Sequence, residues 1–292
     1  MPALDYPLPK TVGDLVDRVL NQAQDLQLNP SLILDRYPKI THLENQAQQK
    51  PHLDRIVAAS RHVWGNDAYA ALLKHLEGGI PSTQLTAQSR IALHLSRAGG
   101  LENANCCLHP IHGFAYLPGS GLKGLAHAYA CHVYYTKSHE PIAGDPSLGP
   151  WKEGQQETFI CAIEDIFGWA PNREHTGPAQ DWLPRSGRSG CRESVQHRGA
   201  IAFHDAFGET VKDGVSVGPP LLEIDVCTPH YGPYYQDGAA PGDWLSPTPI
   251  TFLTIAAGTR FRFRVSKADA NGSDTLLTAD EEAAAITAVV TG

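Results

Sequence analysis

The chain has 292 residues, 42% hydrophobic and 18% charged, a balance that gives a folded core and excludes an intrinsically disordered chain. Its 23 Lys and Arg against 31 Asp and Glu leave a formal charge of −8, which argues against a free-standing nucleic-acid binder, because phosphate neutralisation dominates such affinities. No run of 18 apolar residues occurs and Met1-Pro2-Ala3-Leu4-Asp5 lacks the basic-then-apolar order of a leader, so a soluble cytoplasmic protein with no membrane partner is expected.

Residues 11–28 place Val12, Leu15, Val16, Val19, Leu20, Ala23 and Leu26 on one face and predict a helix. Residues 53–77 repeat the pattern through Leu53, Ile56, Val57, Val63, Trp64, Tyr69, Leu72, Leu73 and Leu76, with a break near Gly65-Asn66 and a stop at Gly78-Gly79. Residues 1–86 therefore read as a helical N-terminal extension and 87–292 as the main domain. From Arg90 to Leu95, Ile91, Leu93 and Leu95 alternate with Ala92 and His94, which predicts a strand leading into the loop Ser96-Arg97-Ala98-Gly99-Gly100.

The stretch Leu117-Pro118-Gly119-Ser120-Gly121-Leu122-Lys123-Gly124-Leu125 carries the most chemistry. Pro118 should end an extended segment and Ser120 is a good N-cap, after which Leu122, Leu125, Ala126, Tyr129, Ala130 and Val133 recur at helical spacing as an expected buried stripe. Lys123 and His127 fall together on a different face, beside Gly121 and Gly124, whose missing side chains would let another backbone come close. A helix N-terminus offers free N–H groups and partial positive charge, and here a lysine is added, so the turn reads as a phosphate grip. It is not a Walker A loop, because Gly124 rather than Ser or Thr follows Lys123, and Gly119-Ser120-Gly121 is not a nucleophile elbow. The plainer reading is a glycine-rich turn capping a core helix, with Lys123 solvated.

Residues 137–196 are rich in Gly, Pro and charge and read as a long insertion, with one short helix over Phe159–Phe167 that ends at Gly168. Arg185, Arg188, Arg192 and Arg198 form a local basic patch or, more simply, a solvated loop. Strands are expected at 199–205, 221–227, 250–256 and 259–266. In the last, Phe261, Phe263 and Val265 alternate with Arg260, Arg262 and Arg264, which predicts an arginine-lined face: the guarded side of an edge strand, or a surface toward RNA or a partner. A final helix begins near Thr278. This order fits an α+β, ferredoxin-like (RRM-like) sheet with helices on one face.

The cysteines, at 106, 107, 131, 161, 191 and 227, form no C-x-x-C pair, so no metal site or cofactor is expected; adjacent Cys106-Cys107 could be a redox pair or metal ligands, but reduced, buried thiols are the expectation. His204-Asp205 resembles an acid/base pair, yet adjacent residues of a regular strand point to opposite faces. The loop Pro229-His230-Tyr231-Gly232-Pro233-Tyr234-Tyr235 could stack on RNA bases through His230 and its tyrosines; alternatively Tyr231 and Tyr235 pack beneath it, between Pro229 and Trp244.

Ile111 to Ala130, with Leu117-Pro118-Gly119-Ser120-Gly121-Leu122-Lys123-Gly124 within it, resembles the (I/L)PGSSLKG signature of RAMP proteins, the RNA-binding subunits of CRISPR effector complexes. The blocks Gly199–Ala206, Glu223–Tyr235 and Trp244–Leu253 are similar in order and spacing to the sixth RAMP subunit of the type III-B (Cmr) complex, so the resemblance covers roughly 88–266. It implies a ferredoxin-like RAMP fold and a noncatalytic RNA-binding subunit that caps the RAMP filament in antiviral defence. Guide RNA, complementary target RNA and other Cmr RAMP subunits are the implied partners. Gly119, Ser120, Gly121 and Lys123 would grip phosphate, with Arg97, His127 and Arg198 beside them and His230 and Tyr231 at the second surface. Metal-independent RNA cleavage, as in some RAMP relatives, and a purely structural scaffold are the alternatives. RAMP proteins continue from a last helix into a glycine-rich loop and a final strand; neither is present before Gly292, a departure that a truncated sequence, a split gene or a partner chain completing the fold would each explain, and the resemblance does not carry glycine-loop RNA contacts over to this chain.

Overall fold

The computed structural model describes residues 6–22, 28–39, 49–61, 66–78, 82–95, 106–139, 155–169, 197–229, 232–238, 240, 242, 244–247 and 249–268. The described helices are α1 (Lys10–Gln22), α2 (Pro30–Arg36), α3 (Lys50–Ser60), α4 (Asn66–Glu77), α5 (Gly119–His139), α6 (Gln155–Phe167) and α7 (Gly232–Asp237). The strands are β1 (Thr83–Thr86), β2 (Tyr116–Leu117), β3 (Gly168–Trp169), β4 (His197–Arg198), β5 (Ile201–Phe203), β6 (Ala206–Lys212), β7 (Val215–Gly218), β8 (Leu222–Cys227), β9 (Ile250–Ile255), β10 (Arg260–Phe263) and β11 (Val265–Lys267). The architecture is thus mixed α and β. No described helix is long and apolar enough to cross a membrane. The helix expected from Thr278, and residues 140–154 and 170–196 of the expected insertion, lie outside the described residues.

Two compact units form. The first comprises Met1–Gly79, Gln84–Leu117 and Ala206–Arg262; the second comprises Ile80–Thr83, Pro118–Asp205 and Phe263–Gly292. The division expected at residue 86 is therefore not the one that packing draws. The N-terminal helices do not stand apart as an extension, because α3 packs on β8 and β9, and α4 packs on β7. Likewise α6, expected within an insertion, packs on α5 and builds the second unit's core.

The first unit centres on an antiparallel sheet in the order β1-β10-β6-β2, with β7 also paired to β6. The β6–β7 hairpin turns through Asp213 and Gly214, both with positive φ (50° and 79°), the two-residue turn whose twist matches paired strands. Tyr69 and Leu73 of α4 pack on Phe114 and Phe207, with the Tyr69 and Phe114 rings edge-to-face at 5.3 Å. The buried Tyr69 hydroxyl donates to the Gly208 carbonyl at 2.5 Å, and burial pushes its pKa up. Position 208 must be glycine, since a Cβ there would lie 2.7 Å from the Phe261 ring and 2.9 Å from Pro220. The strand expected over 90–95 reduces to one bridge between Ile91 and Ile255, because the paired segment forms earlier, at β1. On α1 only part of the expected stripe is buried: Val16 is covered, while Val12 and Leu15 are exposed.

The expected arginine-lined face exists, but it is not the guarded side of an edge strand. β10 lies between β1 and β6 rather than at an edge, and its arginines turn inward to acidic partners. Arg260 Nε donates to Glu209 Oε1 at 2.7 Å, Arg262 Nη2 donates to Glu209 Oε2 at 3.0 Å, and Arg262 Nη1 donates to Glu77 Oε2 at 3.1 Å. Register explains the pairing, since Arg260 stands opposite Glu209 and Arg262 is a diagonal neighbour on the same face. Arg264, beyond the end of β10, is buried and donates to the Asp205 carbonyl at 2.8 Å.

Glu209 is 1% exposed; burial alone would raise its pKa, but the Ser216 hydrogen bond and the two guanidinium groups outweigh it and hold the carboxyl below 4.5. Replacing Glu209 by Gln leaves two guanidinium groups without their shared anion and should cost about 2 kcal/mol, less than for fully buried partners because the arginines keep some water. A carboxyl whose native pKa is depressed contributes stability above its unfolded value and loses it as pH falls through the native one. Urea denaturation should therefore show the largest gap between wild type and Glu209→Gln above pH 4.5, closing as the pH drops below it.

Candidate nucleic-acid interface

The second unit positions the sequence-predicted site. Helix α5 begins one residue before the expected Ser120 cap: Gly119 is its first residue, and the Pro118 carbonyl accepts the Leu122 N–H at 3.0 Å. Ser120 is exposed and does not supply the cap. The Asp205 carboxylate does, accepting the Gly119 N–H at 2.7 Å from the segment joining β5 to β6. Gly119 is required for packing, because a Cβ there would overlap the Phe203 carbonyl oxygen. The expected phosphate grip at Gly119 is thus filled by the protein's own carboxylate. At Gly121 and Gly124 a Cβ would meet nothing within 4 Å, so no described backbone of the chain exploits the gaps these glycines leave.

The face that α5 buries is only part of the expected stripe. Leu125 is 70% exposed and Tyr129 44%, whereas Ala126 and Ala130 pack against Ile163, Ile166, Phe167 and Ile201. The two alanines let α6 approach closely, and the helix is rotated so that its small residues face the bulky ones. This rotation draws Lys123 and His127 into partial burial. The His127 ring meets Phe167 edge-to-face at 5.0 Å, and the Cys131 sulfur lies 3.9 Å from His127 Nδ1, with burial pushing that thiol up to about 11.

Arg198 reaches the same place by a separate route. α6 gives way to Gly168, whose φ of 83° is left-handed, and β3 then pairs with β4 so that Gly168 stands opposite Arg198. Gly199 permits the close approach, since a Cβ there would overlap the Ile166 carbonyl oxygen. Burial, then the nearby Arg198 charge, lowers the Lys123 pKa; burial, then Lys123, lowers that of His127. Among the described residues no carboxylate pairs with Lys123 or Arg198. Lys123 and Arg198 are therefore two neighbouring cations with no carboxylate partner among the described residues, an arrangement that an arriving anion stabilises.

The remaining sequence-predicted residues divide plainly. Arg97, His230 and Tyr231 lie outside the described residues, as do Arg185, Arg188 and Arg192. His204 and Asp205 diverge: His204 Nε2 lies 2.7 Å from Ser266 Oγ, whereas Asp205 is engaged at Gly119. Tyr235, expected beneath its loop in the packed alternative, is exposed. The cap role of Asp205 has no signature in the sequence, because nothing local links it to a helix that begins 86 positions before it.

Asp205→Ala should lower stability by about 1 kcal/mol in urea denaturation, and Asp205→Asn, which keeps an acceptor, by a fraction of that. Gly119→Ala, forced against the Phe203 carbonyl, should cost about 2 kcal/mol or more.

No protein-family model matches the chain. Over 200 residues, 62% of its length, the chain is 42% identical to the CRISPR system Cmr subunit Cmr6 of Pyrococcus furiosus, and the aligned part is 56% of that protein. The chain thus spans little more than half the length of the curated relative it matches. Among solved structures, it superposes on a chain of the type III-B Cmr-beta complex bound to cognate target RNA with a TM-score of 0.43 at 19% identity, covering 88% of this chain and 75% of that one. Against the crystal structure of Cmr6 from Pyrococcus furiosus the TM-score is 0.29 at 21% identity, over 72% of this chain and 89% of the other. A type IV-B CRISPR complex gives 0.36 at 14% identity, over 71% and 78%. These scores are too low to place the fold.

Proposed function

We propose that the chain is a noncatalytic RNA-binding subunit of a type III-B CRISPR ribonucleoprotein effector, built on a ferredoxin-like RAMP fold and acting in the cytoplasm in antiviral defence. The sequence identity to Cmr6 supports the effector assignment, and the Leu117–Gly124 element supports the RAMP one. The observation that carries RNA binding is the pair of cations Lys123 and Arg198, which have no carboxylate partner among the described residues, with the His127 imidazole beside Lys123. Such a cluster reads phosphate rather than base, so sequence choice is left to pairing between the guide RNA and its target. Neighbouring Cmr subunits complete the channel, and this subunit caps the filament. The divergence of His204 and Asp205 supports the noncatalytic reading, since the two cannot act on one atom.

The phosphate contact lies not at the Gly119 turn, where the sequence suggests it, but at the side chains one turn further on. Lys123→Ala should weaken single-stranded RNA binding about fivefold while leaving the melting temperature in place, and should flatten the dependence of log K on log salt by less than about one unit. Arg198→Ala should act in the same direction, and fluorescence anisotropy across a salt series reads both. Unchanged affinity and slope in both folded variants would exclude the cluster from RNA contact.

A further inference from the structure

The first unit carries a second surface whose chemistry is opposite to that of the cationic cluster. Tyr234 and Tyr235 of α7 are 45% and 78% exposed, and Trp244 is 79% exposed, so three large rings face solvent within eleven residues of chain. The two tyrosine rings are fixed edge-to-face at 5.1 Å, α7 closes at Gly238 with its φ of 68°, and the Gly238 N–H donates to the Tyr234 carbonyl. The Trp244 indole lies over Gly242, where even a methyl group would collide with the ring. These rings are held in place at the surface, and aromatic side chains so presented are characteristic of binding surfaces.

Charge decides between the two occupants such rings suit. Base-stacking platforms work together with cations that follow the phosphates. Here no Lys or Arg occurs between Lys212 and Arg260, while the same stretch holds Asp213, Glu223, Asp225, Asp237 and Asp243. Arg90 meets two of these carboxylates, with its Nε 2.7 Å from Glu223 Oε2 and its Nη1 3.3 Å from Asp225 Oδ2. Asp237, on α7 itself, is exposed and has no partner among the described residues. Tyr234 and Asp237, three residues apart on α7, share a helix face, and an aromatic ring with an exposed carboxylate on that face repels a polyanion and attracts a guanidinium group, which can lie flat on a ring and pair with an acid at once.

We infer that Tyr234, Tyr235, Trp244 and Asp237 form a docking surface for an arginine-bearing polypeptide segment of another protein, and that this surface does not take RNA. The assignment goes beyond the RNA-binding reading and is independent of it.

The test titrates three labelled probes into the full chain: a peptide of about ten residues alternating Gly and Arg, its Gly–Glu counterpart, and an oligouridylate of similar length. The Tyr235→Ala/Trp244→Ala double variant and Asp237→Asn are titrated in parallel, with circular dichroism and melting temperature confirming the fold. The Gly–Arg peptide should bind wild type about fivefold more tightly than the double variant and about twofold more tightly than Asp237→Asn. The Gly–Glu peptide should not bind, and oligouridylate affinity should be the same in all three proteins. Absence of Gly–Arg binding to wild type, equal Gly–Arg binding in wild type and the double variant, or loss of oligouridylate affinity in the double variant each overturns the assignment. Because Lys123→Ala is read with RNA and these variants with peptide, failure of one reading is distinguishable from failure of the other.

Discussion

The N–H of Gly119 decides what helix α5 can offer a ligand. A helix start is the natural seat of an anion, and in this protein the Asp205 carboxylate already occupies it. Gly119 is seated so tightly against the Phe203 carbonyl that no side chain fits, which fixes the helix start to the β5–β6 connection. With the terminus anchored, the alanine face settles on α6, and the rotation that follows carries Lys123 and His127 toward Arg198. Capping, packing and charge placement are thus successive consequences of one backbone contact.

The acidic balance of the chain gains meaning once its cations are placed. Arg260 and Arg262 are held by Glu209 and Glu77, Arg90 by Glu223 and Asp225, and Lys39 by Asp17. In these pairs carboxylates hold positive charge in structural use. Lys123 differs, because burial and then the nearby Arg198 charge both oppose its own. With no carboxylate placed beside it among the described residues, that arrangement is the basis of the proposed anion contact, since an isolated structural role would be served as well by uncharged residues.

Element types are more legible in the sequence than element faces. The helix ending at Gly168, the break before Asn66 and the strands β8 and β9 follow from local chemistry: a left-handed glycine, a stop in periodicity, and β-branched runs. The β6–β7 hairpin is legible too, since Asp213-Gly214 between Val211 and Val215 is a strong turn signal, although no strand is expected there from the run at 199–205 alone. What periodicity cannot give is which face wins. On α5 the large apolar residues suggest one face, but the close approach of α6 selects the small ones. On β10 the alternation is right and its meaning is reversed, because the opposing Glu209 comes from a strand about fifty positions away. Of the site, Lys123, His127 and Arg198 are identifiable individually, whereas their convergence depends on α6 and the β3–β4 pair.

In the proposed function RNA is held through two cations, which limits what electrostatics can supply. Two phosphate contacts on a single strand contribute a salt slope of only about −1.4, far below that of proteins which bind nucleic acid alone. The acidic remainder adds long-range repulsion, so an isolated chain gains little from electrostatic steering. A subunit of the proposed kind would discriminate against stray RNA until neighbours present a strand and supply further contacts. An aromatic and acidic surface on the first unit complements this logic, because an arginine-bearing partner would bring the chain into an assembly without competing for the phosphates its own cations await. Under both proposals, weak intrinsic affinity for RNA and a separate means of recruitment would be two sides of one design, in which the negative charge of the chain serves selectivity.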